Sequence, residues 1–329
     1  MCSERSHVEY HQAICHGGDA EMTASWKTIK NLGASIRERL RNAAQKMGYD
    51  FNRVLLLYMQ EGFLRRLSLS QFRDSFVLKG GILFYGRLGQ KTRPTKDLDF
   101  TAIKIKNDPD YLESAIKIIC SISAEDGIEF DTNHIEISEI KEEADYPGWR
   151  IIITGTLDVM IQQLQIDFGF GDAVKPDSIL FEYPVLLEEN PIELRAYSWE
   201  TVISEKFEAI VTRGEANSRM KDFYDIYFLS RSLSFNGDLL SSAIEETFRN
   251  RRAGLNNCRA IFMSSFMDDT MRKQMWMAFQ KKMRFSERLD FADAVRGIEI
   301  FLSPVINALV QHKKFMMIWD NVYSAWRQA

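Results

Sequence analysis

Two short stretches of strict alternation organise the middle of this chain. In Thr95-Lys96-Asp97-Leu98-Asp99-Phe100 and Gln163-Leu164-Gln165-Ile166-Asp167-Phe168, apolar residues recur at every second position. A period of two belongs to a β-strand, whose side chains point alternately to opposite faces. Leu98 and Phe100, with Leu164, Ile166 and Phe168, are expected to face a core, which turns Asp97, Asp99 and Asp167 the other way. Two carboxylates one strand repeat apart cannot crowd together without a cation or protons. Oxygen-only ligands of this kind suit Mg²⁺ or Mn²⁺, held by one or two carboxylates together with substrate phosphates. A third carboxylate on an adjacent strand completes a two-metal site for in-line displacement at phosphorus. The bland alternatives stay open at this stage: exposed strand faces produce Asp-x-Asp by chance, and a strand-ending Asp can cap a turn.

With 329 residues, 45% of them hydrophobic, the chain suits one large domain or two ordinary ones with a substantial core. The longest apolar run, Val54 to Met59, is far short of the roughly 20 residues that span a bilayer, so no membrane association is expected. No basic-then-apolar signal segment opens the sequence, which argues for the cytoplasm. Cys2, Cys15, Cys120 and Cys258 form neither a disulfide framework nor a paired zinc motif. The net charge of −4 is unevenly spread: residues 108–145 carry twelve acids against Lys117 and Lys141, a balance of −10 that leaves +6 for the rest. Segregation of this kind steers partners even when the sum is small. A solvated acidic face explains the segment equally well.

Residues 1–22, with His7, His11, His16, Cys2 and Cys15, read as a disordered leader, or as sequence upstream of a native start at Met22. From about Ser25 to Ser70, Ile36, Leu40, Ala44 and Met47, then Val54, Leu55, Tyr58, Met59 and Phe63, follow helical spacing. Arg65-Arg66 ends the second helix as a capping pair. A helix carrying Phe76, Ile82, Leu83 and Tyr85 is expected to pass through Gly80-Gly81, followed by a strand at about 98–105 and a helix at 111–123. Further strands are expected near 128–130, 135–140, 150–154 and 162–168. Pro176, Pro184 and Pro191 mark a linker, and everything beyond Ser198 reads as helical. The class is α+β, divided into residues 23–190 and a helical C-terminal domain, 191–329.

Two further groups of residues carry chemistry. Gly80-Gly81 permits backbone N–H groups to contact phosphate oxygens, without the Gly-Lys-Ser/Thr order of a P-loop. In the helix beginning near Trp199, Lys206 falls inside the apolar arc of Val202, Ile203, Phe207 and Ile210, with Arg213 at its edge and Glu205 and Glu208 on the polar side. A Lys there either snorkels or meets a buried anion. Asp222 and Asp225, three apart on the next helix, are the matching acids, with Lys206, Arg213 and Arg219 as their partners. An internal salt-bridge network between helices is the structural alternative.

Together these pieces resemble the AbiEii/AbiGii toxin family, the nucleotidyltransferase-like toxins of type IV toxin–antitoxin and phage-defence systems. Phe76-Val77-Leu78-Lys79-Gly80-Gly81 through Arg93-x-Thr95-x-Asp97-Leu98-Asp99-Phe100 looks like its first motif. Ile166-Asp167-x-Gly169-x-Gly171-Asp172 is similar to its third-carboxylate strand. Ser204-Glu205-Lys206 with Asn217-Ser218-Arg219-x-Lys221-Asp222-x-x-Asp225 resembles its last. The resemblance covers about Thr23 to Arg231. It implies a polymerase-β-like nucleotidyltransferase core with N-terminal helices and a helical C-terminal half, using NTP and Mg²⁺ (or Mn²⁺) to add nucleotides to RNA, such as a tRNA 3′ end, and opposed by a cognate antitoxin.

The roles that follow are metal binding for Asp97, Asp99 and Asp167, and phosphate contacts for Gly80, Gly81, Thr95 and Arg213. Lys206 would neutralise charge on the leaving pyrophosphate and Asp222 would orient it. Gly80-Gly81 lacks the Ser hydroxyl that many nucleotidyltransferases place there. An RNA acceptor also needs a basic surface, for which Arg249, Arg251, Arg252, Lys281, Lys282 and Arg284 are candidates, with Phe279 and Phe285 as stacking residues. The competing readings are nucleotidylation of a protein and a non-catalytic partner-binding module on the same scaffold.

Overall fold

The computed structural model describes residues 32–89, 92, 95–140, 148–188, 190–214, 217–283 and 288–328. The leader, Arg93, Arg284 and Phe285 lie outside the described residues. The chain divides into two units. The first holds the described residues through Gly171 together with Leu180–Ala196, and the second holds Asp172–Ile179 and the described residues from Tyr197 onward.

The first unit opens with α1 (Leu32–Met47), whose Ile36, Leu40 and Ala44 are buried as their spacing predicts. Asp50 accepts from the Asn52 N–H and starts α2 (Phe51–Leu69). Then come β1 (Phe76–Lys79), α3 (Gly80–Leu88), β2 (Asp97–Ala102), α4 (Pro109–Cys120), β3 (Ile128–Phe130), β4 (Glu136–Ile140), β5 (Gly148–Leu157), β6 (Met160–Phe170), β7 (Ile179–Tyr183) and β8 (Ile192–Ala196). Their mixed sheet runs β3-β5-β6-β2-β1-β8-β7, with β4 added along β5. Helices and a mixed sheet confirm the α+β class.

The structure corrects the sequence reading in two places here. Phe76 begins a strand, not a helix, and the helix starts only at Gly80. Phe76-Val77-Leu78 is buried throughout, so it shows no alternation and cannot be told from a buried helix by periodicity. The proline-punctuated linker contains β7 and β8, both in the sheet. β8 runs parallel to β1, with Leu78 opposite Ala196, and the unit boundary follows it.

The core beneath β1, β2 and β6 is aromatic. Phe76 and Phe168 lie 4.7 Å apart by ring centroid, and Phe100 stacks on Phe168 at 5.5 Å. Arg66 does not cap α2. It is buried and forks onto Asp126 at 2.6 and 3.0 Å, while also donating to the carbonyls of Gly62 and Ile128. That clamp ties α2 to the loop before β3, inside the segment read as a solvated acidic face.

In the second unit, α5 (Trp199–Arg213), α6 (Met220–Ser232), α7 (Gly237–Asn250), α8 (Ser264–Met267), α9 (Thr270–Met283) and α10 (Phe291–Val310) follow the expected helical pattern. The expectation of helix alone fails at β9 (Phe235–Asn236), β10 (Met317–Asp320) and β11 (Ala325–Gln328), which form a small antiparallel sheet. Phe301 and Trp319 pack at 4.8 Å, and Phe315 meets Trp326 edge-on at 4.8 Å, so an aromatic cluster holds these strands to α10. Among the described residues no helix is long and apolar enough to cross a membrane.

Glu61 on α2 is a buried acid whose carboxylate oxygen accepts from the Leu186 N–H. Burial pushes its carboxyl well above the usual range, against the opposing pull of that N–H and of Arg65. A raised folded-state value means the native state holds a proton that the unfolded chain has released, so this group lowers stability as pH rises above its ordinary value of 4.5. Gln at this position keeps the acceptor and removes the titration. Glu61→Gln is therefore expected to raise the melting temperature at pH 8 by several degrees and to change it little at pH 4.5, as thermal unfolding across that range will show.

Candidate active site

β2 and β6 are parallel and in register, so Leu98 pairs with Ile166, Asp99 with Asp167 and Phe100 with Phe168. The alternation expected from the sequence holds: Leu98, Phe100, Ile166 and Phe168 are fully buried, while Asp97, Asp99 and Asp167 are half-buried on the other face. One carboxylate oxygen from each of the three lies within 4.8 Å of the others. Three hard oxygen donors this close match the chemistry of a divalent cation, and their mutual repulsion is what such an ion relieves.

Gly80 and Gly81 sit at the strand-to-helix turn from β1 into α3. Gly80 adopts φ +67°, and a Cβ there would run into the Asp99 carboxylate. A Cβ on Gly81 would stand 2.6 Å from that of Thr95. The two glycines thus let the N-terminus of α3 approach the acids, where its first N–H groups and positive dipole end suit phosphate oxygens. Thr95 donates from Oγ1 to Asp97 at 2.7 Å. Gln60, fully buried on α2, donates to the Lys96 carbonyl at 3.2 Å and braces the corner that leads into β2.

Sequence reasoning missed Arg150. It stands on β5 directly opposite Asp167 in the antiparallel register with β6. Its Nε and Nη2 donate to the two oxygens of Asp167 at 2.8 and 2.7 Å. Gln165 adds a longer contact from Nε2, at 3.2 Å. The Asp167 hydrogen bond raises the Arg150 pKa above its usual value despite partial desolvation, and Asp97 and Asp99 add to the effect. A strand from Arg150 was foreseen, but only the cross-strand register shows which acid its side chain meets.

The second unit gathers the other predicted residues. Lys206 is 14% exposed and bridges Asp222 at 3.0 Å and Asp225 at 2.8 Å. Arg219 reaches the second oxygen of Asp222 at 2.6 Å. Burial pushes the Asp222 carboxyl up, but Lys206 and then Arg219 outweigh it and hold the group below its ordinary range. The lysine on the apolar stripe therefore meets buried anions. Arg213, in the last turn of α5, is half-buried.

Two expectations about the basic surface need correction. Arg251 is no open phosphate contact: it pairs with Asp172 at 2.9 Å and Glu208 at 2.8 Å, with Glu205 at 3.7 Å. Glu208, placed on the polar side of α5, is buried beneath it. Phe279 packs on Trp276 and Tyr224 instead of standing free to stack. Arg249 pairs with Glu246 yet is exposed, as are Arg252, Lys281 and Lys282.

A family model of the nucleotidyl transferase AbiEii toxin, a type IV toxin–antitoxin component, matches residues 62–297, which include Gly80, Gly81, Asp97, Asp99, Arg150, Asp167, Lys206 and Asp222. The chain belongs to the AbiEii family. It is accordingly a nucleotidyltransferase with a toxin role, and AbiEii membership implies an NTP substrate and an antitoxin partner. No curated protein matches the sequence. Among solved structures, JHP933 from Helicobacter pylori is similar at 16% identity and a TM-score of 0.48, over 80% of this chain and 95% of that one. A candidate nucleotidyltransferase from H. pylori is similar at 18% identity and a TM-score of 0.46, over 80% and 97%. At those scores the two likenesses carry no argument about function.

The glycine turn yields a direct test. Gly80→Ala combines a left-handed backbone with a collision against Asp99, so it should lower nucleotide transfer by roughly 10²-fold or more. Circular dichroism should show the fold retained, and Gly48→Ala, also at positive φ but with open space around it, should leave transfer unchanged.

Proposed function

We propose that this protein transfers a nucleotide from an NTP to RNA, such as a tRNA 3′ end, using Mg²⁺ held by Asp97, Asp99 and Asp167. The observation that carries the reading is the convergence of three carboxylates across β2 and β6, beside a glycine turn that brings a helix N-terminus against one of them. When bound, the cation supplies Lewis-acid stabilisation of the triphosphate and of the attacking oxygen.

The chain's own groups do the rest. The N–H groups at Gly80 and Gly81 hold phosphate oxygens, the Thr95 hydroxyl joins them by turning from Asp97, and Arg213 adds charge for the nucleotide. Asp167 helps activate the acceptor hydroxyl, taking up its proton as the oxygen attacks the α-phosphorus and the bond to pyrophosphate breaks. Lys206 neutralises charge on that leaving group, its ammonium oriented by Asp222, with Asp225 as a second anchor. Among the candidate RNA contacts, Arg249, Arg252, Lys281 and Lys282 retain the exposure that the role needs. An NTP-consuming reaction of this kind belongs in the cytoplasm, where NTP is held.

The test uses radiolabelled NTPs, each of the four in turn, incubated with Mg²⁺, total RNA and lysate. Label that enters RNA and is released by nuclease is the expected result, and Asp97→Ala should reduce it by roughly 10³-fold without unfolding the protein. Label that resists nuclease but yields to protease would assign the acceptor to protein. Full transfer or full toxicity in Asp97→Ala would end the catalytic reading.

A further inference from the structure

Three carboxylates whose ligand atoms lie within 4.8 Å repel one another strongly, and a fold that assembles them before a cation arrives needs a counter-charge. The structure supplies one from an element outside the glycine turn and the two acid-bearing strands. Arg150 faces Asp167 across the β5–β6 ladder and engages both its oxygens in a fork, the strongest form of Arg–carboxylate contact. The pair differs from an ordinary surface ion pair, because its acid is itself a metal-ligand candidate with both oxygens committed. Asp167 is 15% exposed, but the Arg150 side chain is 41% exposed, so the guanidinium has an open route away from the acid.

Resting on the metal-site reading above, we propose that Arg150 is a displaceable counter-ion of the site. It holds Asp167 beside Asp97 and Asp99 before a cation binds, and gives up at least one Asp167 oxygen when the cation enters. Arg150 is thus a positioning residue that competes with the metal. Two opposing consequences follow from one contact. Removing the guanidinium relieves the competition and tightens cation binding, yet leaves Asp167 less well placed for transfer. A purely structural salt bridge has the opposite signature for the first quantity, since its loss would disorder the site and weaken binding.

The experiment measures Mn²⁺ binding to the nucleotide-free full-length protein by the loss of the free-ion electron paramagnetic resonance signal, with transfer assayed in parallel. Arg150→Gln should bind Mn²⁺ roughly three- to tenfold more tightly than the wild type, while kcat falls at least roughly tenfold. Arg150→Lys keeps the charge without the fork and should return Mn²⁺ affinity to within about twofold of wild type, with transfer only partly restored. Circular dichroism and melting temperature establish that each variant is folded. A folded Arg150→Gln protein that binds Mn²⁺ no more tightly than wild type overturns the counter-ion proposal and leaves the metal site standing. Wild-type protein that binds no Mn²⁺ without nucleotide overturns the counter-ion proposal, and binding that survives Asp97→Asn removes the metal site and the proposal together.

Discussion

The parallel register of β2 on β6 is what every functional feature of the first unit hangs on. Because side chains alternate, the pairing of Asp99 with Asp167 and of Phe100 with Phe168 is one fact seen from two faces. A slip by a single residue would turn Asp167 into the aromatic core and Phe168 out to the acids. The packing of Phe168 against Phe76 and Phe100 opposes such a slip, so the apolar face enforces the geometry of the acidic one. The glycine turn belongs to the same arrangement. β1 is antiparallel to β2 with Lys79 opposite Asp99, which delivers Gly80 to the Asp99 carboxylate as the chain enters α3.

Much of the remaining architecture concerns acids taken away from water, and the protein handles them in distinct ways. Asp126 is fully paired by the Arg66 fork, and Asp222 and Asp225 by Lys206 and Arg219. Glu61 is stabilised in its protonated form by burial. The triad stands apart: its three carboxylates share the Arg150 fork on Asp167 and the Thr95 hydroxyl on Asp97 while remaining half-buried. With ligand atoms of three carboxylates within 4.8 Å of one another, the triad gathers negative charge in the arrangement that suits a cation.

The placement of the candidate acids was easier to read in the sequence than the fold around them. Asp97, Asp99 and Asp167 were legible because a period of two separates inward from outward residues without knowledge of neighbours. Lys206 stood out because a charge on an apolar helical stripe must either snorkel or meet a buried anion, and Asp222 and Asp225 supply the anion. Phe76-Val77-Leu78 was misread because a strand buried on both faces loses its alternation. The strands near Pro184 and Pro191 were hidden by punctuation that suggests a linker, and β9 to β11 by their brevity. Arg150, Arg66 and Arg251 share another cause. Each is defined by a partner distant in sequence, in a register or tertiary contact that no local pattern encodes, so two of them were read as helix-end or surface charges and Arg150 not at all.

On the proposed function, the three aspartates form one divalent-cation site that works with a bound nucleotide. Diffraction from crystals grown with Mn²⁺ and a non-hydrolysable NTP analogue, recorded at the manganese edge, tests it most directly. An anomalous peak is expected at bonding distance from carboxylate oxygens of Asp97, Asp99 and Asp167, with the triphosphate against the Gly80-Gly81 turn. Nucleotide bound elsewhere, or a triad without manganese while nucleotide is present, would contradict it.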